Sequence, residues 1–266
     1  MSLQIDYSLG IRMIRDALEE MEARRRYNGG EDRSDVTSGD GLEDELGGKR
    51  ERVFLLSPAN AGGVRARWLS REGATFELAQ RLRTEGASLG EIFSFISGLY
   101  FRGKLTYARA FATAPAGVRG VHVITACGGL IGPEERMSCA RLAEISAGDV
   151  HAGEPKYREP LERDARRLAE SISAECEVVL LGSVATPKYV EPLLSVFGER
   201  LVFPTEFAGR GDMSRGGLML RCVSSGVELQ YVAVQSGQRH GAKPPKLKPL
   251  SARSMKKRKK RRIMQS

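Results

Sequence analysis

Short apolar runs alternate with longer amphipathic segments along most of this chain, and that alternation limits its fold more than any other feature. Four runs are short enough to be buried strands: residues 52–57, 121–125, 178–181 and 201–203. Helical spacing of apolar residues fills most of the intervals, at 75–84, 88–98, 101–112, 156–174 and 188–197. Strands separated by helices predict one α/β domain over residues 51–235, with a mixed sheet flanked by helices.

The stretch FAGRGDMSRGG, residues 207–217, follows the fourth run and is rich in glycine and arginine. Beyond it, residues 218–222 and 227–234 are predicted to form a hairpin across Ser224, Ser225 and Gly226. On this interpretation FAGRGDMSRGG is a loop between two strands.

Three segments outside the predicted domain have compositions of their own. Residues 8–27 have the pattern of an amphipathic helix, within an amino-terminal segment 1–27, that packs on the domain or on a partner protein. Residues 28–50 are rich in Gly, Asp and Glu and are predicted to be a flexible acidic linker. Residues 236–266 are predicted to be a disordered basic tail.

The positive charge of the chain is concentrated in that tail. The formal net charge is +9, yet residues 229–266 hold 12 of the 42 Lys and Arg residues and no acid. The other 30 basic residues and all 33 acidic residues lie in positions 1–228, which leaves that part with a net charge of −3. Seven consecutive basic residues occupy 256–262. Such a run favours a polyanionic partner, because each Lys or Arg that meets a phosphate releases a condensed counterion.

Several classes of protein are disfavoured by the sequence. No run of 18 apolar residues predicts a membrane span, and the amino terminus lacks the pattern of a secretory signal. The four cysteines are scattered, with no spacing typical of zinc ligands or of a disulfide framework. We therefore expect a cytoplasmic protein without metal or cofactor, in which the Arg-Gly-Asp tripeptide at 210–212 has no adhesive role.

Loops of small residues follow three of the predicted strands. They are SPANAGG, CGGLIGP and GSVATP, and none has the spacing of a known phosphate-binding motif. Ligands of open α/β sheets bind at the carboxyl ends of strands, so these loops predict a crevice for a phosphate or a base. Close to them in sequence, Tyr100, Arg102 and Lys104 form an aromatic and basic cluster that suits nucleic acid. Core packing of the aromatic rings with solvated charges explains that cluster equally well.

Four stretches resemble the YaaA-type bacterial peroxide-stress proteins. These are VFLLSPAN (53–60), FELAQRLRTEGASLGEIFSFISGLY (76–100), VVLLGSVATPKYVEPL (178–193) and RGDMSR (210–215), in the same order as in that family. Asn60 stands where the family has lysine. The resemblance, which spans about residues 52–222, implies one α/β domain with a positively lined cleft, DNA binding and protection against oxidative damage. It would place Ser57, Arg210 and Arg215 along the cleft, and it implies no catalytic reaction.

Together these observations predict a cytoplasmic bacterial protein that binds nucleic acid, DNA more than RNA, at the nucleoid. In a eukaryote the basic run would direct the chain to the nucleus. The predicted contacts are Ser57, Asn60, Arg102, Lys104, Arg210, Arg215, Lys256, Lys257, Arg258, Lys259, Lys260, Arg261 and Arg262. The alternative is a nucleobase- or nucleotide-processing enzyme, such as a glycosylase or base transferase, with Glu206 or Asp212 as its chemical acid. A third hypothesis is a scaffold that finds its partner through the first helix.

Overall fold

The computed structural model describes residues 50–245 and residue 247. The predicted first helix, nearly all of the acidic linker and the basic run at 256–262 lie outside the described residues. Within the described part the chain forms eight α-helices, and a six-stranded mixed sheet is flanked by them. The predicted α/β fold with a mixed sheet is therefore confirmed.

The strands are β1 (Arg52–Leu56), β2 (Ala87–Ser88), β3 (Val121–Ile124), β4 (Leu130–Ile131), β5 (Arg136–Met137), β6 (Glu177–Leu181), β7 (Leu201–Pro204) and β8 (Tyr231–Ala233). The main sheet has the order β4-β3-β1-β6-β7-β8. Its four inner strands are parallel, and β4 and β8 are antiparallel edges. The short strands β2 and β5 form a separate antiparallel pair.

The helices are α1 (Val64–Ser70), α2 (Glu77–Thr84), α3 (Leu89–Ser97), α4 (Leu99–Phe111), α5 (Cys139–Ser146), α6 (Pro155–Ser171), α7 (Pro187–Phe197) and α8 (Asp212–Ser225). Two helix pairs pack extensively, α4 against α8 and α6 against α7. The start predicted for α3 is confirmed, because the Ser88 hydroxyl accepts a hydrogen bond from the Glu91 amide at 3.3 Å. The Glu91 carboxylate does not close a capping box, since it pairs with Arg81 instead.

The pairing and burial of the two central strands, β1 and β6, explain why their sequences are largely apolar. Strand β1 pairs with β6 over its whole length, in register from Arg52 with Glu177 to Leu56 with Leu181. Four of the five residues in each strand are buried, because helices cover both faces of a parallel sheet. Both strands end at the same edge, where the chain continues into SPANAGG after β1 and into GSVATP after β6.

The connections reverse direction between these two strands. From β1 the chain crosses to β3 on one side, whereas from β6 it crosses to β7 on the other side. A crevice opens at such a switch point in open α/β sheets, because the two loops leave in opposite directions. Here the residues that follow the strand ends are Ser57 and Gly182, and a Cβ atom at Gly182 would lie only 3.1 Å from the Ser57 Cβ.

The predicted hairpin after residue 217 is wrong. Residues Asp212–Ser225 form the single helix α8, and Gly226, with φ of +71°, ends it in the left-handed conformation that favours glycine. Only Tyr231–Ala233 forms a strand, antiparallel to β7. Apolar residues clustered at 218–222 suggested a strand, but the buried positions Arg215, Gly216 and Met219 have helical spacing. The loop within FAGRGDMSRGG is thus limited to its first residues.

Helices α4 and α8 pack closely where Gly103 and Gly216 face each other. A Cβ atom at Gly103 would lie 2.8 Å from the Gly216 Cα, and one at Gly216 would lie 2.7 Å from the Leu99 carbonyl oxygen. Both contacts are with backbone, which cannot rotate away as a side chain would. The absence of side chains at Gly103 and Gly216 therefore lets the two helices approach until their backbones touch.

Candidate functional site

A buried lysine reaches the end of the central strand. Lys104, on α4, is only 1% exposed, and Ser57, directly after β1, is 5% exposed. The Lys104 Nζ lies 2.7 Å from the Ser57 Oγ and 2.5 Å from the Ser57 carbonyl oxygen. The two residues are 47 positions apart in sequence and meet at the switch point of the sheet.

The environment of Lys104 favours a neutral amine. Burial lowers the pKa of Lys104 to about 7; Asp212 opposes this effect, and the nearby Arg215 and Lys188 lower the pKa further. The Tyr100 and Phe101 ring centroids lie 4.5 and 5.0 Å from Nζ. Among the described residues no carboxylate forms an ion pair with Lys104. Lys104 is therefore partly unprotonated at neutral pH.

Two tyrosines lie beside the same serine. Tyr100 is 8% exposed, and its hydroxyl makes no hydrogen bond of normal geometry with any described residue. Burial raises the pKa of Tyr100 to about 12, although the Arg215 guanidinium and the Ser57 hydroxyl lower it. Burial also raises the pKa of Tyr189, on α7, with Tyr100 and Asp212 adding to the effect and the Ser57 hydroxyl opposing it. Both tyrosines therefore keep their protons at neutral pH and can donate hydrogen bonds.

The start of α8 supplies an arginine whose guanidinium is turned inward. Arg215 is 9% exposed, and its Nε and Nη2 donate to the Phe207 carbonyl oxygen at 3.2 and 2.7 Å. The Asp212 carboxylate lies 3.7 Å from the Arg215 Nη1, with its side chain 67% exposed. Arg210 likewise donates within the segment, to the Glu206 carbonyl oxygen and the Ser214 hydroxyl. These two arginines hold the segment in shape.

The structure brings together only some of the residues predicted to form a site. Ser57, Lys104, Arg215 and, from the alternative hypothesis, Asp212 lie in one cluster with Tyr100 and Tyr189, which we call the Ser57 cluster. The other predicted residues lie elsewhere. The exposed Asn60 accepts a hydrogen bond from the Gly62 amide, Glu206 accepts one from the Thr205 hydroxyl, and Arg102 is half-buried with its Nε unpartnered within the described range.

A cavity of about 620 Å³ is lined in part by the loop that follows Ser57, and no residue of the Ser57 cluster lies in its wall. Its wall includes Pro58–Gly62, residues that directly follow Ser57, and also Ala126 and the segment from Ile145 to Val150. Glu154 and Lys156 add charge of both signs. A cavity of this size accommodates a small organic ligand. Neither Glu206 nor Asp212 lies in its wall.

Sequence reasoning missed the contact that organises this site. Lys104 was expected to face nucleic acid, and Ser57 was expected to line a cleft, but nothing in the sequence paired them. A basic residue within a largely apolar helical segment was the available sign, because a charged side chain at a core-facing position needs a polar partner. Nothing in the sequence marked Tyr189 as a site residue except its position after the loop at the end of a strand.

In the part of the chain that the structure describes, no three His, Cys, Asp or Glu side chains group to hold a metal ion. No helix among those residues is long and apolar enough to cross a membrane. His122 donates a hydrogen bond from Nε2 to the Arg119 carbonyl oxygen at 2.9 Å, and burial lowers its pKa to about 4. The imidazole is therefore neutral at neutral pH.

Comparison with known proteins gives no match for this chain. No family model matches it, and neither the curated proteins nor the solved structures contain a significant match. The resemblance to YaaA-type proteins accordingly depends on the four motifs alone. The site must be interpreted from its own chemistry.

Proposed function

We propose that the chain is a nucleic-acid-binding protein of the bacterial cytoplasm, with DNA preferred over RNA, that acts in protection against stress or DNA damage. The support for binding is the separation of charge: seven consecutive cationic residues at 256–262, beside a remainder with a net charge of −3 over positions 1–228. Phosphate contacts of this kind give affinity without sequence specificity. The stress role rests on the resemblance alone.

The described body supports a main role for the tail. Lys104 and Arg215 are buried, and Arg210 donates to groups of its own segment, so these three cations are not arranged as a phosphate-binding surface. Affinity would then come mostly from the basic run. Seven phosphate contacts correspond to a slope of roughly −6 for log K against log salt on duplex DNA.

Replacing all seven basic residues at 256–262 by glutamine is expected to weaken duplex DNA binding at least a hundredfold at 0.1 M salt and to bring the salt slope close to zero. Each lost cation removes about one released counterion, which is why affinity and slope should fall together. Fluorescence anisotropy with a labelled random duplex, over a series of salt concentrations, measures both quantities.

Replacing the seven basic residues by glutamine is a more specific change than deleting residues 239–266, although the deletion should weaken DNA binding in the same way. A Cβ atom at Gly209 would collide with the Ala242 carbonyl, so the first part of the tail touches the body. The control is a variant with the residues of 256–262 permuted, which keeps the seven charges and should bind like the natural chain. Unchanged affinity and slope in the glutamine variant would contradict the proposal.

A second candidate function, processing of a nucleotide or nucleobase, is favoured by the cavity beside the switch point. Its volume of about 620 Å³ suits a nucleotide, and its wall combines backbone of the SPANAGG loop with Asn60 and Lys156. These groups offer hydrogen bonds to a base, and Lys156 offers one positive charge, next to the carboxylates of Asp149 and Glu154 in the same wall. The reaction class of such an enzyme is left open by the cavity itself.

Substituting Ala147, an exposed residue of the cavity wall, by tryptophan is expected to weaken binding of any such ligand at least tenfold, because the indole would fill the space. Equilibrium dialysis against a panel of nucleosides and nucleotides measures the affinity. Ala143→Trp, on the exposed side of α5 and outside the wall, is the matched control. If no member of the panel binds the natural chain, this candidate function is wrong.

A further inference from the structure

We propose that Ser57 is a catalytic nucleophile and that Lys104 is its general base, in a site that transfers or hydrolyses acyl groups of esters or activated amides. This goes beyond both proposed functions, because it assigns a covalent reaction to a residue pair that neither of them needs. The wall of the cavity includes Pro58 and Ala59, which directly follow Ser57, but no residue of the Ser57 cluster, so the cavity is not part of this proposal.

The geometry is that of an activated serine. A general base must lie within about 2.6–3.2 Å of the heavy atom whose proton it removes, and the Lys104 Nζ is 2.7 Å from the Ser57 Oγ. In the structure Nζ donates to both the Oγ and the carbonyl oxygen of Ser57. Once the amine is neutral, it has two N–H bonds and one lone pair, so one N–H can keep the bond to the carbonyl oxygen while the lone pair accepts the proton of the hydroxyl.

The surroundings keep the base neutral. Among the described residues, the charged groups that act on Lys104 are Asp212 and Arg215 on α8 and Lys188 on α7. Two of these three charges are positive, and the Asp212 carboxylate is mostly exposed to solvent and pairs with Arg215. The faces of the Tyr100 and Phe101 rings favour the ammonium form and so oppose the effect of burial. Burial lowers the pKa of Lys104 to about 7, so a large part of the amine is unprotonated near neutral pH.

The site also holds a donor without an acceptor. The Tyr100 hydroxyl is buried and makes no hydrogen bond of normal geometry with a described residue, although the nearby Ser57 hydroxyl and Arg215 guanidinium lower its pKa. A buried polar group left unpaired costs free energy and calls for an explanation. A donor beside a nucleophile is suited to the negative oxygen that develops when the serine attacks a carbonyl.

The reaction that these groups allow needs no reagent other than the acyl substrate and water. The Ser57 Oγ bonds to the carbonyl carbon while its proton passes to Lys104 Nζ, and the carbonyl electron pair moves to oxygen, where Tyr100 donates. Collapse of this intermediate breaks the bond to the leaving group, which takes the proton from Lys104. Water, deprotonated in turn by Lys104, then cleaves the acyl-serine to the carboxylic acid and restores both residues.

The location also suits catalysis. Ser57 and Gly182 follow the two strands at the topological switch point, where open α/β sheets bind their ligands. Residues Val53–Leu56 are completely buried, whereas Ser57, Tyr100 and Arg215 each retain some exposure. The Ser57 cluster thus lies where the core meets solvent. A purely structural lysine at this position would satisfy the strand end but would leave the Tyr100 hydroxyl unexplained.

The test is covalent labelling of the full chain by a sulfonyl fluoride and by a fluorophosphonate, which capture activated serines. We expect one adduct, located on Ser57 by peptide mass mapping, and a labelling rate that rises with pH through a midpoint near 7 as Lys104 loses its proton. Ser57→Ala should abolish the adduct. Lys104→Met and Lys104→Arg should each lower the rate at least tenfold, because neither side chain can accept the proton.

The controls separate chemistry from folding and from the other proposals. Ser224→Ala changes an exposed serine of α8 and should label like the natural chain. Circular dichroism checks that each variant folds. DNA and nucleotide binding are measured on the same preparations, and an absence of binding would contradict those proposals without affecting the labelling result. A folded natural chain that gains no adduct on Ser57 with either reagent overturns the proposal. So does an adduct that forms equally fast in both Lys104 variants.

Discussion

Between pH 7 and pH 10 the natural chain is expected to gain on the order of 3 kcal/mol in stability relative to the Lys104→Met variant. Burial lowers the pKa of Lys104 from 10.5 to about 7 in the folded chain, so over this interval the unfolded chain binds the extra proton. Stability rises with pH wherever the unfolded state binds more protons. Methionine has nothing to titrate and removes this part of the pH dependence.

The quantity to measure is the difference between the two unfolding free energies, from urea denaturation at each pH. Other groups that titrate in this range, such as tyrosines and cysteines, are common to both chains and cancel. At pH 7 methionine also leaves the Ser57 carbonyl without its amine donor, which offsets part of the benefit of removing a buried amine. The change of the difference with pH is therefore more informative than its value at one pH.

Lys156→Met is the matched control, because that lysine is exposed and should leave the pH dependence unchanged. A difference between natural chain and Lys104→Met that stays constant from pH 7 to pH 10 would mean that Lys104 is protonated throughout. In that event Lys104 would not be the base that Ser57 requires, and the labelling experiment should fail as well. The stability and labelling experiments thus test independently whether Lys104 loses its proton near pH 7 in the folded chain.

The parts of the fold that the sequence predicts are those in which pattern and burial agree. Strands β1 and β6 are short, and apolar and buried after their first residue, and their positions are confirmed within a residue or two. The start of α3 is confirmed because a single serine provides the cap. These features depend on neighbours in the chain, and local sequence therefore contains the necessary information.

Helix α8 shows where local information is insufficient. Its sequence includes Gly216 and Gly217, which disfavour a helix, and an apolar cluster at 218–222 that suggests a strand. Packing against α4 decides the outcome, and that packing depends on Gly103, more than 100 positions earlier. The antiparallel strands β2, β4 and β5, of two residues each, are likewise set by their partners and not by their composition.

The candidate site was predictable in its parts but not in its arrangement. Lys104 was singled out as part of an aromatic and basic cluster, Ser57 and Arg215 through the resemblance, and Asp212 as a candidate acid. Which of them meet depends on the crossing of α4 behind the end of β1 and on the approach of α8, and both are long-range features. Two of the charged residues that suggested a phosphate surface, Lys104 and Arg215, prove to be buried, and Arg215 helps to lower the pKa of Lys104.

Gly216→Ala is expected to lower the free energy of unfolding by about 2–3 kcal/mol, because the added methyl group overpacks a tight backbone contact. The new Cβ would lie 2.7 Å from the Leu99 carbonyl oxygen and 2.9 Å from the Tyr100 Cα. Helices α4 and α8 would have to separate to admit it. Separation would also draw Tyr100 and Lys104 away from Arg215, so labelling of Ser57 should slow in the same variant.

Gly217→Ala, one position along the same helix, is the matched control. A Cβ there meets only the Leu247 side chain at 3.7 Å, an ordinary van der Waals distance. Alanine is favoured over glycine in a helix interior by about 0.5–1 kcal/mol, so this variant should be slightly more stable than the natural chain. Urea denaturation of the two variants gives opposite signs if α4 and α8 touch as described. Equal effects at 216 and 217 would mean that the helices are not in backbone contact, and the arrangement of the Ser57 cluster would then be wrong too.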